Sequence, residues 1–236
     1  HFLDLDAQGR FDMEQLEQLT GKYPESLVSI MHGNNEIGNL TDLNKVGEIC
    51  RGNHCYFHSD TVQTIGKYAM DLGATPVDAI AGSAHKFHGP KGIGFMYLRS
   101  GLSIQPLLFG GGQERELRPG TEYVAGIVGL GKAFELARNE LDRHQNHILK
   151  LKKHMIGRLK KEMPGIGFNG LSDHESESLY SLVNISLPKN AGNEMTLFQL
   201  DLKGISASGG SACGSGALKG SHVIHELRPD DDRINI

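Results

Sequence analysis

The chain predicts an α/β protein: a large domain built on a mostly parallel sheet, followed by a smaller α+β domain. Three observations carry this expectation. Short apolar runs rich in β-branched residues recur over residues 26–98, and the segments between them read as helices or turns. Glycine, at 31 of 236 residues, marks many tight turns between them. Beyond residue 123 the pattern changes to long helical periodicity, then to short mixed elements.

The elements follow in order. "SLVSIMH", Ser26 to His32, is an apolar run followed by the turn-forming "GNNEIG". In "TDLNKVGEICRG", Thr41 can cap a helix whose apolar face holds Leu43, Val46, Ile49 and Cys50, and Gly52 closes it. "CYFHSD" reads as a second strand, and the third runs from Val77 to about Gly82 within "PVDAIAGSAHK". A fourth, "GIGFMYLRS" from Gly92, follows too closely for a crossover and is expected antiparallel. Long helices are expected over Val124 to about Leu141 and His144 to about Met163, the second stopped by Pro164. Then come strand "SLVNISL", helix "NEMTLFQLDLKG", strand "ISAS", helix "SHVIHEL" and a final strand at "INI". The domain boundary is placed inside the first long helix, giving domains 1–125 and 126–236. There is no internal repeat and no low-complexity segment.

Composition narrows the function classes. A net charge of -4 gives no footprint for nucleic acid, and no basic run suggests a membrane surface. No apolar stretch approaches the length of a membrane span. The opening "HFLDLDAQGR" has neither a signal-peptide pattern nor an initiating methionine, so both ends read as cut. Three cysteines argue against a disulfide framework and for a reducing, cytoplasmic compartment, which makes the sequons at Asn39 and Asn184 chance matches.

In open parallel sheets, ligands gather outside the carboxyl ends of the strands. Just past the first three strands stand Asn34 and Asn35, then Asp60 and Gln63, then Ser83, His85 and Lys86. An amine, a carboxylate, amides, a hydroxyl and an imidazole on one edge suit a carbonyl cofactor held by Lys86. Pyridoxal phosphate asks for an amine, an acid near its ring nitrogen and donors for its phosphate, which Lys86, Asp60 and the Ser83/His85 pair supply; a plain ion pair is the competing reading. In "SASGGSACGSG", Cys213 stands among small residues, a setting that favours a reactive thiol over a core filler. Cys50 and Cys55, with His58 nearby, have no second ligand pair at finger-like spacing and read as structural.

Five stretches in order, "SIMHGNNEIG", "HSDTVQTIGK", "SAHKFHGPKGIGF", "GGGQERELRPGT" and "SASGGSACGSG", resemble the cysteine desulfurases, pyridoxal-phosphate enzymes of the class V aminotransferase group with the type I fold. The resemblance implies that Lys86 binds the cofactor covalently and Asp60 faces the pyridine nitrogen. Asn35 and Gln63 match side chains that hydrogen-bond the cofactor ring, and Ser83 and His85 match phosphate ligands. Thr121 resembles the threonine that reaches the phosphate of the neighbouring subunit, which implies a homodimer. Cys213 matches the nucleophile that takes sulfur from L-cysteine as a persulfide, leaving alanine, and passes it to an acceptor such as an iron–sulfur scaffold or a sulfur carrier.

The chain also departs from the family pattern. Roughly the first third of the family's length, with its phosphate-binding turn and a ring-stacking histidine, is not in this sequence. The arginine that holds the substrate carboxylate would fall just beyond Ile236. Selenocysteine lyase is the near alternative, and a catalytically silent aminotransferase-like scaffold is the alternative of another class; joint retention of Lys86, Asp60 and Cys213 argues against the latter. "GIVGLGKA" nearly spells a P-loop, but Ala133 stands where a magnesium-binding hydroxyl is required and no strand precedes it. His32, ending a strand at the site edge, reads equally as a cofactor contact or as a structural hydrogen-bonding residue; His88 reads as loop-fixing, and His222 and His225 lack a clear third metal ligand.

Overall fold

A computed structural model describes residues 1–188, 195–209, 221–229 and 233–236. They form two compact units interleaved along the chain, whereas the sequence division at residue 125 is continuous. One unit takes residues 23–31 and 43–141; the other takes 1–22, 32–42 and 142–236.

The first of these units is built on a four-stranded sheet in the order β1 (Leu27–Met31), β2 (Tyr56–Asp60), β3 (Ala79–Ser83), β4 (Gly94–Leu98). β1 and β2 run parallel with Met31 beside Asp60, β2 and β3 run parallel with Asp60 beside Ala81, and β4 returns antiparallel with Gly94 beside Ser83. The structure thus bears out the expected antiparallel fourth strand, because ten residues between β3 and β4 leave no room for a crossover helix. Helix α2 (Leu43–Gly52) buries Leu43, Val46, Gly47 and Cys50, the face its spacing predicted. Phe57, Val77, Ile80 and Val46 are fully buried and form the heart of this unit; each such side chain contributes about 1.5–3 kcal/mol on leaving water. Gly82 of β3 is required by packing, since a Cβ there would stand 2.4 Å from the Phe95 ring. Helix α3 (Val124–Asn139) belongs to this unit and supports the turn after β3.

The other unit contains α1 (Met13–Lys22), nearly all of α4 (Leu141–Glu162), the three-stranded antiparallel sheet β5 (Gly167–Phe168), β6 (Ile185–Leu187), β7 (Ile234–Asn235), and the short helices α5 (Thr196–Leu202) and α6 (His222–Leu227). The strand expected at "ISAS" is not formed; residues 205–208 are irregular and exposed, and the sheet instead takes its third strand from the carboxyl end of the sequence. Loop 32–42 is the hub of this unit. The Asn39 amide donates to Gln8 O at 2.7 Å, and its oxygen accepts from Leu171 N at 2.7 Å. Asn184 Nδ2 donates to Glu36 O at 2.9 Å. Both sequon asparagines are therefore buried and bonded inside the fold.

Lys152 of α4 is 5% exposed and donates to Ser178 Oγ at 2.7 Å and Leu179 O at 2.8 Å. Burial lowers its pKa from 10.5 to about 8, with Asp173 opposing. The unfolded chain then binds this proton more tightly than the folded one, so stability rises with pH between about 8 and 10.5 and is flat, on this account, below that window. The gain is about 3 kcal/mol, at about 1.4 kcal/mol per pKa unit. Denaturant titrations at pH 8 and pH 10 check this: between them the wild-type gain should exceed that of Lys152→Met by about 2 kcal/mol, and equal gains would refute it.

Candidate active site

The site is assembled at the carboxyl ends of β2 and β3, where adjacent parallel strands deliver their last residues to one edge. Asp60 ends β2 and is exposed; its Oδ1 accepts from Val62 N at 2.9 Å, which fixes the carboxylate at the start of the following turn. That turn holds Gln63, half-buried, and is tied back to the sheet by Thr61, whose hydroxyl donates to Ala81 O at 2.8 Å. Ser83 ends β3, and a single 3-10 turn, Ala84–Phe87, follows at once with His85 and Lys86 on it.

His85 and Lys86 are thus placed by a tight turn with rigid supports. Ser83 Oγ and His85 Nδ1 are hydrogen-bonded at 2.8 Å. His88 closes the turn in a left-handed conformation, φ 65°, and Gly89 N donates to Ala84 O at 2.8 Å, which accounts for His88 structurally. Phe87 is buried and meets Phe134 of α3 edge-on, with ring centroids 5.8 Å apart. Lys86 is half-buried between these anchors. Gly66, at φ +75°, lets the turn after β2 approach Phe87 so closely that a Cβ would stand 3.0 Å from the Phe87 Cβ.

That close approach brings in a residue the sequence reading did not single out. Lys67 is half-buried next to Gly66, and its pKa is held below the usual lysine range by burial first and by the charge of Lys86 second. Two amines therefore feel each other at this edge. "HSDTVQTIGK" contains Lys67, but only the spatial pairing of two turns reveals it.

Asn35 belongs to the other unit, exposed in loop 32–42. Its neighbour Asn34 spends its side chain on the loop itself, Oδ1 accepting from Glu36 N at 2.8 Å and Ile37 N at 3.0 Å. His32 is half-buried, and burial lowers its pKa to about 4 despite Asp42, so the imidazole is neutral at physiological pH. Thr121 is exposed in the loop before α3. Cys213 lies outside the described residues. Cys50 and Cys55 are buried free thiols, and burial pushes the Cys50 thiol up to about 12, far from a nucleophile's range.

The donor set fits pyridoxal phosphate: an amine on a braced turn, a carboxylate on the neighbouring strand end, and a hydroxyl–imidazole pair beside the amine. Residues 1–229 match the family described as Aminotransferase class-V. The chain belongs to that family. Among class V relatives, it is 40% identical over 226 residues to a protein of Dictyoglomus turgidum named cysteine desulfurase IscS, covering 96% of this chain and 56% of that one. A solved structure described as a NifS-like protein superposes with a TM-score of 0.83 at 36% identity, over 99% of this chain and 59% of the other. Another, described as SspA in complex with cysteine, gives a TM-score of 0.75 at 26% identity, over 97% of this chain and 61% of the other. The chain therefore spans between half and two thirds of the length of these class V relatives.

Proposed function

We propose that this chain is part of a pyridoxal-phosphate-dependent cysteine desulfurase, which converts L-cysteine to L-alanine and leaves a persulfide on Cys213. The observation that carries the reading is the delivery of Asp60 and Lys86 to one edge by adjacent parallel strands, beside the Ser83–His85 pair. The similarity to proteins named cysteine desulfurase, and to one solved with cysteine, supports the choice of substrate.

Each residue has a task in this reading. Lys86 holds the cofactor and, once displaced by substrate, uses its free Nζ to take the proton from the substrate Cα. Asp60 keeps a proton on the ring nitrogen. Ser83 and His85 bind phosphate, Gln63 and Asn35 bind ring substituents, and Thr121 reaches the phosphate of a second subunit in a homodimer. When bound, pyridoxal phosphate supplies the electron sink that lets the Cα proton leave and the Cβ–S bond break. Cys213, as thiolate, attacks the substrate sulfur: a sulfur–sulfur bond forms, the Cβ–S bond breaks with its electron pair staying on carbon, and that carbon takes up a proton to become the methyl of alanine. The persulfide sulfur then passes to an acceptor protein, an iron–sulfur scaffold or a sulfur carrier. Among the described residues no helix is long and apolar enough to cross a membrane, and the buried free thiols Cys50 and Cys55 support a reducing compartment such as the cytoplasm.

The test is a single turnover of the full-length protein with L-cysteine and a thiol-trapping reagent. Equimolar alanine and one trapped extra sulfur on the Cys213 peptide are expected. Alanine without sulfur on Cys213, or no alanine, would overturn the reading.

A further inference from the structure

Helix α4 concentrates charge that the rest of the chain does not share. It holds seven lysines and arginines against two carboxylates, in a protein whose net charge is -4. Arg143, His147, Lys150, His154, Arg158 and Lys161 recur every three or four residues, and all six are exposed. At 3.6 residues per turn they fall within an arc of roughly 80°, a straight stripe roughly 27 Å long. Lys152 and Ile156, the buried residues of the helix, lie on the opposite side. No run of basic residues marks the stripe in the sequence, because only the helical period gathers it.

Helix formation does not ask for this arrangement. Like charges three and four residues apart weaken a helix, and Arg143 stands in the first turn, where the dipole favours acids. The cations on one flank are neutralised within the fold: Lys153 meets Glu175 at 2.7 Å and Lys160 meets Asp173 at 2.8 Å. Within the stripe, Arg158 pairs with Glu162 at 2.9 Å, but among the described residues no carboxylate forms a salt bridge with Lys150 or Lys161. On the other flank, Leu151 and Met155 stand 55% and 46% exposed.

We propose that this face of α4 is a docking surface for an acidic partner protein, whose carboxylates lie along the stripe and whose apolar side chains meet Leu151 and Met155. The surface does not depend on the reaction assigned above. Charge complementarity calls for an anionic partner, and the apolar pair selects among anions. A phosphate backbone would satisfy the cations and leave Leu151 and Met155 in water. A membrane takes up a helix by its apolar face, which in α4 is turned into the fold around Ile156. A protein face supplies carboxylates and apolar contact together.

The experiment measures binding of a fluorescein-labelled helical peptide to the full-length protein by anisotropy at low salt. The peptide carries glutamates at three- and four-residue spacing, with leucines along one flank. The double variant Lys150→Glu/Lys161→Glu should bind it about 10-fold more weakly or worse. A version of the peptide with lysine in place of each glutamate should prefer that variant to wild type by about the same factor. Leu151→Ser/Met155→Ser should weaken the acidic peptide about 5-fold, a loss that purely ionic attraction would not show. Both variants should melt near the wild-type temperature, since all four side chains are exposed. Absence of binding by the acidic peptide would overturn the proposal, as would binding indifferent to the two lysines or to Leu151 and Met155. Tighter binding of double-stranded RNA, or of phosphatidylserine vesicles, through the same two lysines would overturn it too, and would assign the stripe to that class of partner instead.

Discussion

Lys86→Ala should lower alanine formation from L-cysteine in the full-length protein by about three orders of magnitude or more. On the proposed reading the variant loses the amine that takes the Cα proton, and a positioned general base alone contributes roughly 10²- to 10⁴-fold. It also loses the covalent hold on the cofactor. The fold should survive, because Lys86 is half-buried and the turn is braced by others: Phe87 against Phe134, the Ser83–His85 hydrogen bond and the His88 closure. The check is alanine production together with a melting curve. Near-wild-type turnover would remove Lys86 from the chemistry, and Lys67, the other amine at this edge, would become the residue to test next.

Cys213→Ala should abolish the persulfide but spare the earlier proton transfer. In the proposed mechanism the two steps use different atoms, Nζ of Lys86 and Sγ of Cys213, so removing the thiol leaves proton removal untouched. In deuterated water the variant should still exchange the Cα proton of L-cysteine near the wild-type rate, while sulfur on the protein falls to background. Loss of exchange as well would mean that Cys213 is required before sulfur transfer, which the proposed order of steps forbids.

Much of the fold was legible because its signals are local. β2, β3 and α2 announce themselves by apolar runs and a 3.6-residue stripe that ends in buried Phe57, Ile80, Val46 and Cys50. The short gap before β4 dictates its direction. α1 escaped notice because only Leu16 and Thr20 are buried along it, too thin a stripe to stand out. "ISAS" has strand propensity, but residues 205–208 are exposed, and pairing, not propensity, decides strands.

The site divides in the same way. Asp60, Ser83, His85 and Lys86 could be read from sequence because strand ends place them on one edge. Lys67 could not, because its relation to Lys86 depends on the backbone of Gly66 meeting Phe87 across two turns. Glu36, beside Asn35, is a buried acid whose pairing was hidden by separation, its partner Ser221 lying 185 residues away. In the sequence, Asn39 and Asn184 stood out only as the first residues of two chance sequons, yet they are buried hydrogen-bonding posts of the unit that carries loop 32–42.

The central claim is that Lys86 carries the cofactor, and the most direct measurement is reductive trapping. Full-length protein as isolated is treated with borohydride, digested and searched by mass spectrometry for a peptide bearing the reduced cofactor. The account predicts that mass on the peptide containing Lys86 and on no other. Cofactor mass on Lys67 or Lys91, or on no peptide of a protein that contains the cofactor, would contradict it.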